Sequence, residues 1–193
     1  MQIKKGVLLP LAITGLLFLV SACSSIQLVS NYDETIDSQA QQLQKKLDEY
    51  FISLQSASAD ELKYKNQQQF YEGVLADLNA MQVRAGGIYK NNLTLEQIEL
   101  ARENLAWLVL LHKGCISGSL TDTQKKNVKQ NGIDLSMDCK IDNGASSDIA
   151  GRGDNALSLF LVAPIQNLFN QHFGAIMALE LAKKRGETPS NKE

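Results

Sequence analysis

The sequence predicts an all-α protein, a four-helix bundle with one long loop between its third and fourth helices. Three observations predict it. Apolar residues recur at the spacing of a helix with one buried face. Polar pairs with capping-box spacing precede three of these stretches. Glycines stand where the stripes stop. Only three prolines and few β-branched runs agree with a helical chain.

The first helix is expected over residues 31–57, with Asn31 and Glu34 as its capping pair. Ile36, Ala40, Leu43, Leu47, Tyr50, Phe51 and Leu54 form its stripe, and Gln39, Gln42, Lys45, Lys46 and Glu49 its wet face. The second is expected over 59–85, opened by Ser58 and Glu61. It buries Phe70, Tyr71, Val74, Leu78 and Met81 and stops at Gly86-Gly87. The short connection that follows makes helices two and three antiparallel neighbours.

The third helix is expected over 94–117, opened by Thr94 and Gln97. Its run Leu105-Ala106-Trp107-Leu108-Val109-Leu110-Leu111 is apolar all round, which marks a central helix ending near Gly114 to Gly118. Residues 118–153 are rich in Gly, Asn, Asp and Ser, with room for a short helix at Thr121–Gln130. A connection this long in a compact domain points to function or disorder. The fourth helix is expected over 154–184. Leu157, Leu161, Ile165, Leu168, Phe169, Ile176 and Leu179 supply its apolar surface, and Pro164 should kink or restart it. Lys183, Lys184 and Arg185 suit the negative end of its dipole, and Gly186 its stop. A mobile tail is expected over 186–193.

The opening residues carry a separate message. Lys4 and Lys5 precede an uncharged apolar run, and small residues precede Cys23. That is the layout of a secretory signal. The run is short for a membrane-spanning helix, which needs about 20 residues. Leu19-Val20-Ser21-Ala22-Cys23 resembles the lipobox of bacterial lipoproteins, with Val20 in the place the pattern usually gives to leucine. The resemblance covers residues 1–23. It implies that 1–22 are cleaved, that Cys23 carries the lipid, and that its new amine is acylated with a chain such as palmitate. Ser24 stands where Asp would retain an enteric-type lipoprotein at the inner membrane, so the implied location is the periplasmic face of the outer membrane. Residues 23–30 then form a lipidated tether and 31–185 the folded domain. Seven extended residues reach at most about 25 Å, which keeps the body close to its membrane.

Losing Lys4 and Lys5 leaves 17 of the 19 Lys and Arg against 21 Asp and Glu. No dense basic patch is present, which argues against a nucleic-acid partner. Lipid on Cys23 leaves Cys115 and Cys139 in a compartment that permits disulfides. A bridge between them would pin the long loop to the end of the third helix, stabilising the fold by about 3 kcal/mol in the chain-entropy model. Two free thiols or a metal site are the alternatives, and two cysteines without a nearby histidine make a poor zinc site.

Little else carries chemistry. His112 and His172 lie on the apolar faces of helices three and four, where the rings could meet and hold a metal or haem. The Glu-x-x-His companions of di-iron bundles are missing, so satisfied core histidines are expected and no cofactor is implied. Asp33 and Asp37 are read as partners of a helix N-terminus rather than as a catalytic pair. Arg152-Gly153-Asp154 is read as a helix-entry turn with Asp154 as the cap. Asp142-Asn143-Gly144 lacks the ligands of a calcium loop. The function expected is protein–protein interaction or envelope assembly at the membrane, without catalysis and with a protein partner. A small-ligand or haem binder in the bundle core, or an immunity-type inhibitor lipoprotein, is the alternative.

Overall fold

The computed structural model describes residues 29–116, 118–131 and 155–186 of the 193-residue chain. The signal segment, Cys23, Cys139, Asp142-Asn143-Gly144, Arg152-Gly153-Asp154 and the tail lie outside these residues. Among the described residues five helices follow one another: α1 (Glu34–Leu54), α2 (Tyr64–Gly86), α3 (Asn92–His112), α4 (Asp122–Asn131) and α5 (Leu159–Gly186). Among the described residues, the one β feature is an isolated antiparallel bridge between Lys63 and Ala156. The protein is all-α.

The buried residues of α1 are the seven of the predicted stripe. Its cap is different. Asp33, not Asn31, precedes the first turn and accepts the Ile36 amide at 2.8 Å. The predicted stripe of α2 is also inside, with Phe70 only partly covered. Ser58 and Glu61 form their reciprocal capping bonds, from the Ser58 amide to Glu61 at 2.7 Å and from the Glu61 amide to Ser58 at 3.3 Å. These bonds close a turn over 58–62 instead of starting the helix, which begins at Tyr64. The Tyr64 amide is taken by the Asn155 carbonyl at 2.9 Å, so a tertiary contact moves the boundary.

α3 starts two residues before the predicted point, with Asn91 at its cap position, and ends at His112. Its end is a Schellman motif. The Cys115 amide reaches the Leu110 carbonyl at 2.9 Å and the Gly114 amide reaches that of Leu111 at 3.0 Å. Gly114 has φ of +75°, and a Cβ there would meet Asn155 Nδ2 at 3.0 Å. The short helix expected near 121–130 is α4. Thr121 and Gln124 cap it, the Gln124 amide donating to Thr121 Oγ1 at 3.3 Å and the Thr121 amide to Gln124 Oε1 at 2.8 Å.

The fourth predicted helix starts late. Residues 155–158 run alongside 62–64, and α5 begins at Leu159. Leu157 is buried, but from this non-helical segment. No restart occurs at Pro164, which sits inside α5. Val162 and Phe173 enter the core, while Leu161 stays partly exposed.

α1 packs on α5, α3 packs on both α2 and α5, and α1 meets α2 over a smaller area, while α4 rests on α3. Hydrogen bonds between neighbouring helices pair the start of one with the end of the other and middle with middle, so contacting helices are antiparallel. One end therefore gathers residues 29–37, 81–94 and 180–186, the tether end. The other gathers 52–64, 112–116, 118–122 and 155–160, the distal end. A continuous apolar core joins them, including Phe51, Tyr71, Leu78, Leu105, Phe169 and Phe173.

Gly114→Ala should lower stability by about 1–2 kcal/mol through the left-handed backbone alone. Displacing Asn155, which donates to the His112 carbonyl at 2.8 Å, should add to this. Urea unfolding of the mature domain checks it, and an unchanged midpoint would contradict the strain argument.

Candidate functional site

The chemistry-bearing side chains gather at the two ends of the helices. At the tether end, Glu180 is fully buried and Lys183 nearly so. Lys183 Nζ donates to Thr94 Oγ1 at 2.9 Å, and also to Glu180 Oε1 and Asn91 Oδ1. Thr94 Oγ1 donates to Glu180 Oε1 at 2.9 Å, and the Asp33 amide donates to Glu180 Oε2 at 3.0 Å. Asn91 accepts from Ser30 Oγ at 3.1 Å and donates to the Ala85 carbonyl at 3.3 Å. The ammonium's three protons and both carboxylate oxygens are thus partnered, as a buried pair requires. Outside this cluster, Arg84 Nε donates to both Asp33 oxygens at 2.9 and 3.1 Å. Burial pushes the Asp33 carboxyl up, but Arg84 and the Ile36 amide outweigh it and hold the group below its ordinary range.

Asp33 and Asp37 serve this helix entry. Asp33 is the cap, while Asp37 accepts from Tyr32 at 3.0 Å and from Gln41 at 3.0 Å. They do not share a pocket as an acid–base pair would. Lys183, read from the sequence as a dipole partner, is instead an internal ligand of Glu180. Thr94, read as a cap, is an internal bridge. No sequence signal distinguishes Glu180 and Lys183 from an ordinary i, i+3 surface pair, except that Glu180 shares a face with Phe173 and Ile176.

At the distal end, His112 is fully buried. Its Nε2 lies 2.7 Å from the Leu62 carbonyl, which can only accept, so Nε2 carries the proton. Nδ1 then accepts from Tyr71 Oη at 2.7 Å, and Tyr71 Oη accepts from Tyr50 Oη at 3.0 Å. Burial pushes the phenols up, Tyr50 to about 12 and Tyr71 well above its ordinary value. Burial pushes the imidazole down, against a smaller opposing effect of the Leu62 bond. All three groups are therefore neutral at physiological pH, and the chain is a line of ordinary hydrogen-bond donors. Tyr64 and Tyr71 meet His112 edge-on with centroids 5.6 and 5.8 Å away. With both ring nitrogens taken and no exposed edge, this imidazole has no free lone pair for a metal, a haem or a substrate.

His172 sits elsewhere. Its Nε2 faces Asn104 Nδ2 at 2.6 Å and its Nδ1 faces Gln97 Oε1 at 3.3 Å. Asn104 lies eight residues before His112 on α3, about 12 Å of helix rise away, so the rings serve separate partners. Among the described residues, no group of three or more His, Cys, Asp or Glu side chains could hold a metal ion, and no helix is long and apolar enough to cross a membrane. A groove of about 210 Å³ lies between α1 and α2, lined by residues including Gln39, Gln42 and Met81. The Lys46–Asp77 bridge at 2.8 Å spans it.

Cys115 is buried just after the end of α3. No other cysteine falls among the described residues, so the pairing with Cys139 lies outside them, as does lipidation of Cys23. Trp107 Nε1 donates to the Gly118 carbonyl at 2.9 Å, which holds the chain leaving α3 against that helix. The distal end also exposes Ile52, Leu159 and Phe160, the last 86% accessible. No protein-family model, curated protein or solved structure matches this chain.

Removing one member of the buried pair should be far worse than removing both charges. Lys183→Met should cost about 3–5 kcal/mol by stranding Glu180, and Glu180→Gln in the same protein should restore part of it. Additive losses in a double-mutant cycle would show that the pair is not coupled. The histidines set a pH dependence. Each has a folded-state pKa below its unfolded value of 6.5, so the unfolded chain takes up protons first on acidification. Stability should be full above about pH 6.5 and fall as the pH drops from there toward the folded-state pKa. His112→Gln should flatten this slope above the carboxylate range, and an unchanged slope would exclude His112 as a source.

Proposed function

We propose that this protein is a lipid-anchored bacterial lipoprotein, held by Cys23 at the periplasmic face of the outer membrane, that acts through protein–protein contact in envelope assembly and carries out no catalysis. In this reading the helices form a four-helix bundle, and a Cys115–Cys139 disulfide pins the loop after α3 to make part of the contact surface. The observation that carries the reading is the polarity of the molecule. The chain from Cys23 enters at one end, while Ile52, Leu159 and Phe160 stand exposed at the other, beside the segments that lead into and out of the long loop. Large apolar side chains in the open mark a contact surface when they gather in one place. The neutral, fully partnered His112 and the separate His172 leave the haem-binding alternative without a ligand pair.

Photo-crosslinking in the intact cell tests the proposal. A photoreactive residue at position 160 should give a discrete protein adduct, and one at Lys45, exposed midway along α1, should not. Reduction should weaken the adduct if the pinned loop shares the surface. Absence of any adduct from 160 or from positions within 118–153 would remove the distal end as the contact surface.

A further inference from the structure

We infer that the tether end is itself a membrane contact surface, shaped to lie on anionic lipid headgroups with a few side chains dipped into the interface. The inference rests on the reading of Cys23 as the lipid anchor and adds the orientation of the body. Cys23 and Val29 are six residue steps apart, at most about 20 Å when extended. The entry point cannot swing away from this end. The Ser30 amide donates to the Lys90 carbonyl at 3.1 Å, and Ser30 Oγ donates to Asn91 in the buried cluster.

Around that entry the surface has the composition of an interfacial anchor. Val29, Tyr89 and Leu93 are 46, 78 and 55% exposed. Tyr89 and Lys90 form the turn between α2 and α3, with Lys90 Nζ 5.2 Å from the centre of the Tyr89 ring. Lys90 has φ of +60°, the only non-glycine residue with positive φ among the described ones. A lysine is thus held where glycine would fit without strain. Lys184 and Arg185 are exposed at the end of α5, Lys184 Nζ lying 4.8 Å from the centre of the Tyr32 ring. Of the acids at this end, Glu180 is neutralised by Lys183 and Asp33 by Arg84, Asp37 accepts from Tyr32 and Gln41, and Glu34 is exposed. Arg84, Lys90, Lys183, Lys184 and Arg185 thus stand against four acids, a basic surplus of one here, although acids outnumber Lys and Arg over the chain as a whole. Tyrosine suits the headgroup level, small apolar side chains suit the boundary beneath it, and Lys and Arg pair with anionic lipid. Dipping Tyr89 and Leu93 also covers apolar surface that water otherwise meets.

Depth-dependent fluorescence quenching decides it. The mature lipidated protein would be reconstituted in vesicles of phosphatidylethanolamine with a minority of phosphatidylglycerol, some carrying bromine on the upper acyl chain. Two variants, Tyr89→Trp and Phe160→Trp, are read against the parent, whose one tryptophan is Trp107. The emission added at position 89 should fall roughly twofold or more on brominated vesicles, as expected of a ring in the interface, and that added at 160 should not change. Lys184→Glu with Arg185→Glu should weaken the contact by roughly fivefold per charge lost and restore emission at 89, while the protein stays on the vesicle. Equal quenching at both positions, or none at 89 in protein that floats with the vesicles, would overturn the orientation and leave the anchor standing. A second copy of the chain covering this end would give that second result. Protein that neither floats nor incorporates labelled fatty acid at Cys23 would overturn the lipoprotein reading, and this inference with it.

Discussion

The ammonium of Lys183 holds the tether end of the fold together. Four helix termini meet there, and each brings backbone groups that its own helix cannot satisfy. Lys183 reaches from α5 to Asn91 and Thr94 at the start of α3, and Glu180 reaches the Asp33 amide at the start of α1. Asn91 passes the connection on to the Ala85 carbonyl at the end of α2. A hydrophobic cluster in the same space would bury area but leave these groups without partners, each at about 1–3 kcal/mol. The ion pair is tolerable only because every proton and lone pair facing it is used. Its directionality also fixes how far α5 can slide along α1 and α3, which apolar packing alone leaves loosely defined.

At the distal end a neutral hydrogen-bonded chain, not a buried ion pair, joins the helices. His112 joins α3 to the Leu62 carbonyl and, through Tyr71 and Tyr50, to α2 and α1. Leu62 also accepts the Leu157 amide at 3.0 Å, and Asn155 bonds both the Tyr64 amide and the His112 carbonyl. The returning chain is thus stitched down before α5 begins. Gly114 completes the arrangement, because its missing Cβ is what lets Asn155 approach.

The helices were legible in the sequence and their termini were not, for one physical reason. A stripe such as Ile36 to Leu54 repeats, so many residues report the same face and the period survives any single exception. A cap is one side chain, and the sequence offers competitors within three residues. Asp33 beats Asn31 because Arg84 and Glu180 converge on it from other helices, which no local pattern encodes. Ser58 and Glu61 make the predicted bonds, yet the helix waits until Tyr64, where Asn155 supplies the carbonyl. His112 was legible as a core residue because it sits in phase with apolar neighbours, whereas His172, read the same way, is only half-buried. Their partners were not legible, since Leu62 and Gln97 lie far from them in sequence or on another helix. The Glu180–Lys183 cluster was invisible for the same reason, because a charged i, i+3 pair near a helix end reads as a solvated one.

The two ends differ in a way that bears on how the molecule is used. At the tether end Glu180 and Lys183 are turned inward and paired, and the surface carries Tyr89, Leu93, the basic residues of the α5 terminus, the Arg84–Asp33 pair and Glu34. At the distal end the buried chain of Tyr50, Tyr71 and His112 is neutral, and the surface carries Phe160, Leu159 and Ile52 beside the Lys63–Asp60 pair. Between them the sides of α1 and α2 present exposed polar residues such as Gln42, Lys45 and Glu49 and small ion pairs such as Lys46–Asp77. Exposed pairs of that kind contribute about 0–1 kcal/mol to stability but keep a surface soluble and unattractive to neighbours. Apolar exposure concentrated at two poles, with polar flanks between, suits a body that contacts one partner above and one surface below. A body built to bind along its length would carry an apolar stripe down an outer helix face, and α1 keeps its stripe entirely inside. In the proposed arrangement the length of α1, about 30 Å for its 21 residues, would set the distance between membrane and partner.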